Sequence, residues 1–573
     1  MAEYLSPGVY VEEFEMGPRP MEGVSTSTCG FVGLAERGAV VGAPELVTNI
    51  ADFRRKYGSY LSENQFGEYR FLSYGVEAFF NNGGSRAYIM RVAPEDAKIA
   101  ESKIEGDMTL NITAKNPGAW GNDIRVKFAP TSKAKTQVME MAEDGDKKSY
   151  TVKSAVGFNV GDIVMFTDGE ATEFAKVASS VENVLVFEEP FGADVVDTEL
   201  LPKKTIQTCE FNMEVGYQDL LESYENVSLN IAAANFITKR LAKSDLIEAQ
   251  VEGDAEGAKA PYEALTGNSE GTYVFGLDGG FDGTADNVTS STFMGSDDGP
   301  GKRTGIQSFL ENEQVSIMAV PGVTDPNVQL ALVAHCENTK SRFAVLDVPV
   351  SEKKVGDVLN FRNMFDSDYA AMYHPWLEVF DPLDKRNIFM PPSGAMAGIY
   401  ARSDTERGVF KAPANEVVRG AVGLSSLYGK GEQDILNPKG VNLIRTFTGQ
   451  GIRVWGARTA SSNSLWKYVN VRRLFIFLEE SIKANTNWVV FEPNDEQLWT
   501  RVKRTIEVFL TGVWRSGALA GSSQGEAFFV DIGRTTMSED DIQNGRLICV
   551  IGVAPVKPAE FVIFRIAQKT SEQ

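Results

Sequence analysis

The chain has 573 residues, 43% apolar and 23% charged, enough for three or four domains of roughly 100 to 200 residues and without the composition of a disordered chain. Asp plus Glu outnumber Lys plus Arg by 78 to 56, a net charge of −22, which argues against a nucleic-acid coat held by phosphate neutralisation. Cys29, Cys209, Cys336 and Cys549 are far apart and form no CxxC, and neither a basic-apolar leader nor a run of roughly 18 apolar residues occurs; zinc, disulfide, secretory and membrane-spanning readings therefore fall away, and folding in a reducing cytoplasm fits.

In chain order, residues 1–22 read as an arm, because the extended run Val9 to Phe14 meets Gly17-Pro18-Arg19-Pro20, which continues neither helix nor central strand. Residues 23–92 form a compact α/β unit, with strands at Cys29–Ala35 and Ala87–Val92, helices around Ile50–Tyr57 and Phe71–Phe80, and a turn at Asn81-Asn82-Gly83-Gly84. Residues 93–213 change to short β runs such as Ile124–Phe128, Ile163–Phe166, Phe174–Val177 and Val184–Phe187. That spacing predicts a small antiparallel barrel or sandwich inserted into the core.

From 214 to 437 strands and helices alternate. Val315–Val320, Phe343–Val348 and Trp376–Phe380 are predicted strands, and Asn327–Lys340 and Glu352–Met364 predicted helices; runs buried on both faces and joined by helices imply a parallel sheet. Residues 438–573 carry strands at Val441–Phe447 and Ile452–Gly456, two helices, then strands at Phe528–Asp531, Leu547–Val553 and Glu560–Ile566, the last set off by Pro555 and Pro558. The fold class is multidomain α/β with a β-rich insertion and an α+β C-terminal domain.

Several segments resemble, in order, the contractile tail-sheath proteins of phages and of phage-tail-like injection systems. They are Leu5-Ser6-Pro7-Gly8-Val9-Tyr10-Val11-Glu12-Glu13, Gly30-Phe31-Val32-Gly33, Phe79-Phe80-Asn81-Asn82-Gly83-Gly84 with Arg91-Val92, and Leu277-Asp278-Gly279-Gly280-Phe281-Asp282-Gly283. The C-terminal part adds Asn470-Val471-Arg472-Arg473-Leu474, Phe491-Glu492-Pro493-Asn494, Leu498-Trp499, Gly517-Ala518-Leu519, Gly545 and Pro558-Ala559-Glu560-Phe561-Val562. The resemblance implies a subtilisin-like core across 214–437, an outward-facing insertion at 93–213, and a C-terminal domain facing an inner tube. It also implies that both chain ends donate strands to neighbouring subunits of a helical sheath.

On that reading Val9, Tyr10, Val11, Glu12 and Phe14 at one end, and Phe561, Val562, Ile563, Phe564 and Ile566 at the other, are the strand-exchange residues; the bland alternative is an edge strand within one subunit. The predicted helix at Glu496–Gly517 sets Leu498, Val502, Ile506 or Phe509, and Val513 on one face. Arg501, Lys503 and Arg504 form a basic cluster on its other side, suited to an acidic inner tube, or else a solvated face with Glu507 as internal partner. Arg472 and Arg473 open a helix whose 474–478 run is apolar all round; they read as bridges between domains or neighbours and as secondary contact candidates.

Other chemistry is weak. The Asp278 to Gly283 turn with Asp286 scatters carboxylates without EF-hand spacing or a closing Glu, so it reads as a turn and no metal is expected. Gly295 to Arg303 only echoes a phosphate loop, since Arg303 stands where Ser or Thr must bind magnesium, and no cofactor is expected. His335 and His374 sit beside no serine elbow, and Cys336 next to His335 on a helix points about 100° away, so no enzyme is expected.

The reading is a structural subunit that polymerises helically with itself, as stacked rings, around an inner tail tube protein, meeting baseplate and tail terminator proteins, without direct nucleic acid or membrane insertion. Assembly in the host bacterial cytoplasm is expected, in a virion or a released tail-like particle. An outward-facing adhesin or capsid-decorating protein is the alternative.

Overall fold

The computed structural model describes residues 21–106, 108–144, 147–167, 172–189, 191, 204–253, 259–563 and 565. Its centre is an eight-stranded sheet in the order Glu45–Val47, Ala87–Val92, Cys29–Leu34, Ile317–Ala319, Phe343–Asp347, Ala370–His374, Val441–Phe447, Gly451–Val454. The six inner strands are parallel and only the two edge pairings are antiparallel. Continuous apolar strands suit this because each residue meets a core: Phe31, Ala319, Val345 and Tyr373 face one side, and Val32, Met318, Leu346 and Met372 the other.

Helix Pro326–Thr339 covers the second face through Val328, Leu332 and Cys336. Asp325 caps it and Pro326 occupies its first turn, where no intrahelical N–H is needed. Helices Leu72–Asn81 and Ser393–Glu406 cover the first face and touch backbone to backbone: a Cβ on Gly398 would lie 2.4 Å from the Phe79 carbonyl oxygen.

One predicted strand is displaced. The sheet uses Ala370–His374, whereas Leu377–Asp381 pairs antiparallel with Arg386–Met390 and Gly423–Leu424 in a separate small sheet. Two alanines open the true strand, and its weak apolar signal hid it beside the bulkier run that follows.

The chain leaves the central sheet after Val92 and returns at Ile317. Within that excursion, strands Thr172–Val181, Val184–Phe187, Lys147–Val152, Lys135–Asp144, Thr205–Thr208 and Ile163–Thr167 close a barrel filled by Val138, Tyr150, Phe166, Leu185 and Ile206. A second β unit, whose single core runs from Ala100 to Leu277, lies at its base. The chain crosses between them near 131–135 and 208–210, where Lys133 Nζ meets Asp162 Oδ2 at 2.7 Å and Glu210 Oε1 at 3.2 Å, both carboxylates buried.

The Asp278 to Gly283 segment is a tight turn. Gly280 N–H donates to Asn122 Oδ1 at 2.8 Å, Asn122 Nδ2 donates to the Gly280 carbonyl at 2.9 Å, and Asp282 Oδ1 accepts from Ala119 N–H at 2.7 Å. Gly279 and Gly283 have φ of 80° and 81°, conformations that favour glycine.

The C-terminal unit packs helices Val469–Asn485 and Glu496–Arg515 against a two-stranded sheet, Phe528–Ile532 with Cys549–Val553, around Leu474, Leu478, Val502, Ile506, Leu510 and Val530.

Candidate functional site: the chain ends and the C-terminal sheet

Val9, Tyr10, Val11, Glu12 and Phe14 lie outside the described residues, as do Phe564 and Ile566. What is described is the base of each arm. Residues 21–28 run along helix Val469–Asn485: Val24 N–H donates to Ser481 Oγ at 3.1 Å, Asn485 Nδ2 donates to the Glu22 carbonyl at 2.9 Å, and a Cβ on Gly23 would strike the Phe477 ring at 2.7 Å. The N-terminal arm is therefore rooted on the C-terminal unit.

At the other end, Val556 N–H donates to the Ala518 carbonyl at 3.2 Å and Glu560 is held by Arg458, Asn437 and Tyr468. The next three residues are largely exposed: Phe561, Val562 and Ile563 are 72%, 68% and 78% exposed. The strand predicted over Glu560–Ile566 does not form across 560–563 within the single chain, since no partner strand lies beside it among the described residues.

Close to these ends stands the two-stranded C-terminal sheet. Neither outer edge pairs with another strand among the described residues. Alternation turns Phe528 and Val530 onto the helices and leaves Phe529 and Val550 exposed. Gly552, opposite Phe529, leaves room for that ring to lie across the sheet: a Cβ there would come within 2.1 Å of it.

Helix Glu496–Arg515 begins at Asp495, whose side chain accepts from Leu498 N–H at 2.8 Å, and buries Leu498, Val502, Ile506, Phe509 and Val513 as the spacing predicts. It divides the basic cluster. Arg501 and Arg504, three residues apart, share an exposed stripe, whereas Lys503 is half-buried and its charge bears on Cys549. Glu492 rather than Glu507 is the carboxylate that pairs, with Arg501 at 3.2 Å, and the Arg501 guanidinium lies 4.7 Å from the Trp488 ring centre.

Arg472 and Arg473 are buried within the subunit and bridge its parts, in keeping with their reading as bridges between domains. Arg472 pairs with Asp368 and stacks 3.5 Å over Trp466; Arg473 grips Asp404 and the Thr26 carbonyl. Both join the C-terminal unit to the core.

Among the described residues neither histidine ring is hydrogen-bonded to a serine or cysteine side chain. Burial and neighbouring Arg342 lower His335 to about 3, and burial alone lowers His374 to about 4, so both are neutral at pH 7. Their ring nitrogens face Arg342 Nη1 at 3.1 Å and Tyr428 Oη at 2.8 Å. Ser393 Oγ donates to buried Asp347 at 2.7 Å, but Asp347 follows the alternation of Val345 onto the sheet face opposite His374. Among the described residues no group of three or more His, Cys, Asp or Glu is placed to hold a metal ion, and no helix is long and apolar enough to cross a membrane.

The described residues thus combine a parallel core, a long β excursion, a two-stranded C-terminal sheet and an exposed apolar run at 561–563. Comparison with known proteins shows what this architecture resembles. Residues 300–460 match the phage tail sheath protein central domain, and residues 461–569 the phage tail sheath C-terminal domain. The chain is 25% identical over 288 residues to a prophage major tail sheath protein of Pseudomonas aeruginosa strain UCBPP-PA14, covering 48% of this chain and 72% of that one. It is 26% identical over 228 residues to the tail sheath protein of Vibrio phage KVP40, covering 39% of this chain but only 32% of the phage protein. In fold it matches the sheath complex of an extracellular contractile injection system in the contracted state, with TM-score 0.53 and 20% identity over 99% of each chain. Across its central and C-terminal parts the chain is similar to phage tail sheath proteins.

Proposed function

We propose that this sheath subunit polymerises helically around an inner tube by exchanging its terminal strands, and that contraction of the polymer drives the tube through a target envelope. The observation that carries the reading is a two-stranded sheet whose outer edges meet no further strand among the described residues, close to the exposed apolar run Phe561–Val562–Ile563. A two-stranded sheet is marginal alone. Each added backbone bond contributes about 0.5–1.5 kcal/mol net, so an arm of several residues binds firmly while remaining a hinge. Contacts that propagate rather than close give a filament.

In this arrangement the central sheet and its helices, rather than residues 214–437 alone, form a subtilisin-like core; the excursion between Val92 and Ile317, longer than the 93–213 read from the sequence, faces outward; and the C-terminal domain faces the tube, with Arg501 and Arg504 as the contact and Lys503 in a supporting place. Baseplate and terminator proteins cap the polymer, which assembles in the host cytoplasm. One neighbour in fold comes from the baseplate of the anti-feeding prophage, with 20% identity and TM-score 0.52, which suits such a partner. The adhesin or decorating alternative is not supported by these relatives. Deleting residues 1–20, or 561–573, should leave a folded subunit that forms no tubes in negative-stain microscopy; normal tubes from either deletion would reject the reading.

A further inference from the structure

Glu560 is the last residue of the C-terminal arm held by the body, and donors from three stretches of the chain converge on it. Arg458 Nε and Asn437 Nδ2 each donate to Oε1 at 2.7 Å; Arg458 Nη2 donates to Oε2 at 2.6 Å and Tyr468 Oη at 3.0 Å; Lys467 Nζ lies 3.8 Å away. Arg458 is itself buried and tied to the central sheet. Its N–H donates to Asn442 Oδ1 at 2.7 Å, and Asn442 Nδ2 donates to the carbonyls of Arg458 and, at 3.1 Å, of Met372 on the adjacent strand. Burial pushes the Glu560 carboxyl up, but hydrogen bonds from Arg458 and Asn437 outweigh it and hold the group below its ordinary value.

Immediately beyond this clamp come exposed Phe561, Val562 and Ile563; residues 556–562 of the arm form one wall of an open groove of about 950 Å³ whose other walls include Phe410, Pro438 and Trp455. Three bulky apolar residues beside an apolar groove have a ready intramolecular seat, and closing onto it would withdraw them from any partner. A two-point, charge-assisted pair rooted in the sheet fixes direction as well as position.

We propose that Glu560 is the positioning residue of the C-terminal arm: its pair with Arg458 fixes where the arm leaves the body, keeping Phe561–Ile563 available to a second copy of the chain instead of the groove. This rests on the strand-exchange reading.

The test compares the full-length protein, a truncation lacking 561–573, Glu560→Gln, and the exchanged pair Arg458→Glu with Glu560→Arg. Sedimentation gives the critical concentration for polymerisation and circular dichroism the melt. The truncation should not polymerise. Glu560→Gln should melt cooperatively yet need a concentration higher by about tenfold or more, as loss of a charge-assisted pair implies. The exchanged pair should recover most of that loss, which a merely structural role would not give. If the truncation polymerises normally, the strand-exchange reading fails. If the truncation is inert but Glu560→Gln polymerises at the wild-type concentration, the clamp is overturned and strand exchange stands. A loss in Glu560→Gln without recovery in the exchanged pair also overturns it.

Discussion

Arg473 and Asp404 form a buried two-point ion pair, Nη1 to Oδ1 at 2.9 Å and Nη2 to Oδ2 at 2.6 Å, with side chains only 3% and 5% exposed. The pair is shared by three parts of the chain. Arg473 belongs to the C-terminal unit, Asp404 to a core helix, and Thr26, at the root of the N-terminal arm, donates its hydroxyl to Asp404 at 2.6 Å and offers its carbonyl to Arg473. Removing one partner strands the other charge out of water. Arg473→Met should therefore lower stability by about 3–5 kcal/mol in urea unfolding, and should open residues 21–28 to proteolysis before the core unfolds.

The barrel has a comparable fastening. Lys133→Met would leave Asp162 and Glu210 buried without their cation. Hydrogen exchange is expected to quicken across 135–208 while the strands of the central sheet keep their protection; uniform change throughout the chain would refute a local fastening.

Two glycines should behave in opposite ways. Gly398→Ala forces a methyl against the Phe79 backbone and should cost about 1–3 kcal/mol. Gly512→Ala, inside helix Glu496–Arg515 with nothing within 4 Å of its Cβ position, should stabilise by about 0.5–1 kcal/mol. Chemical denaturation of the two variants reads both signs.

Asp347 makes stability depend on pH. Burial raises its carboxyl to about 6, partly opposed by hydrogen bonds from Ser393 and Gly322. Between the ordinary carboxylate range near pH 4 and pH 6 the folded chain keeps a proton that the unfolded chain has released, so this group's contribution falls as pH rises through that window and is level above it. The stability of wild type relative to Asp347→Asn should fall by up to about 3 kcal/mol from pH 4 to pH 6. A difference that grows over the same range would reverse the assignment.

Much of the architecture could be read from the chain because apolar residues recur at helix or strand spacing between clear turn signals: helix Ile50–Tyr57 and strands Ala87–Val92, Val184–Phe187 and Val441–Phe447 fall on their predicted bounds. Where packing overrides local pattern, reading failed. Ala370–His374 is a strand because its neighbours make it one, while its alanines carry little signal alone. Arg472 and Arg473 read as bridges from the sequence, but their partners Asp368 and Asp404 are set by tertiary contact alone. Lys503 parts from Arg501 and Arg504 because two residues on a helix span about 200°. Glu560 was visible only as one letter among several; its weight comes from Arg458, Asn437 and Tyr468, which lie about a hundred residues or more away in sequence.

The central claim is that the chain's apolar ends complete the C-terminal sheet of other copies. A helical reconstruction of tubes formed by the full-length protein tests it most directly. The account predicts continuous density in which residues 561–563 of one subunit lie as an added strand along the open edge of Phe528–Ile532 or Cys549–Val553 in a neighbour. Density showing each arm folded onto its own subunit, with that sheet still two-stranded, would contradict it.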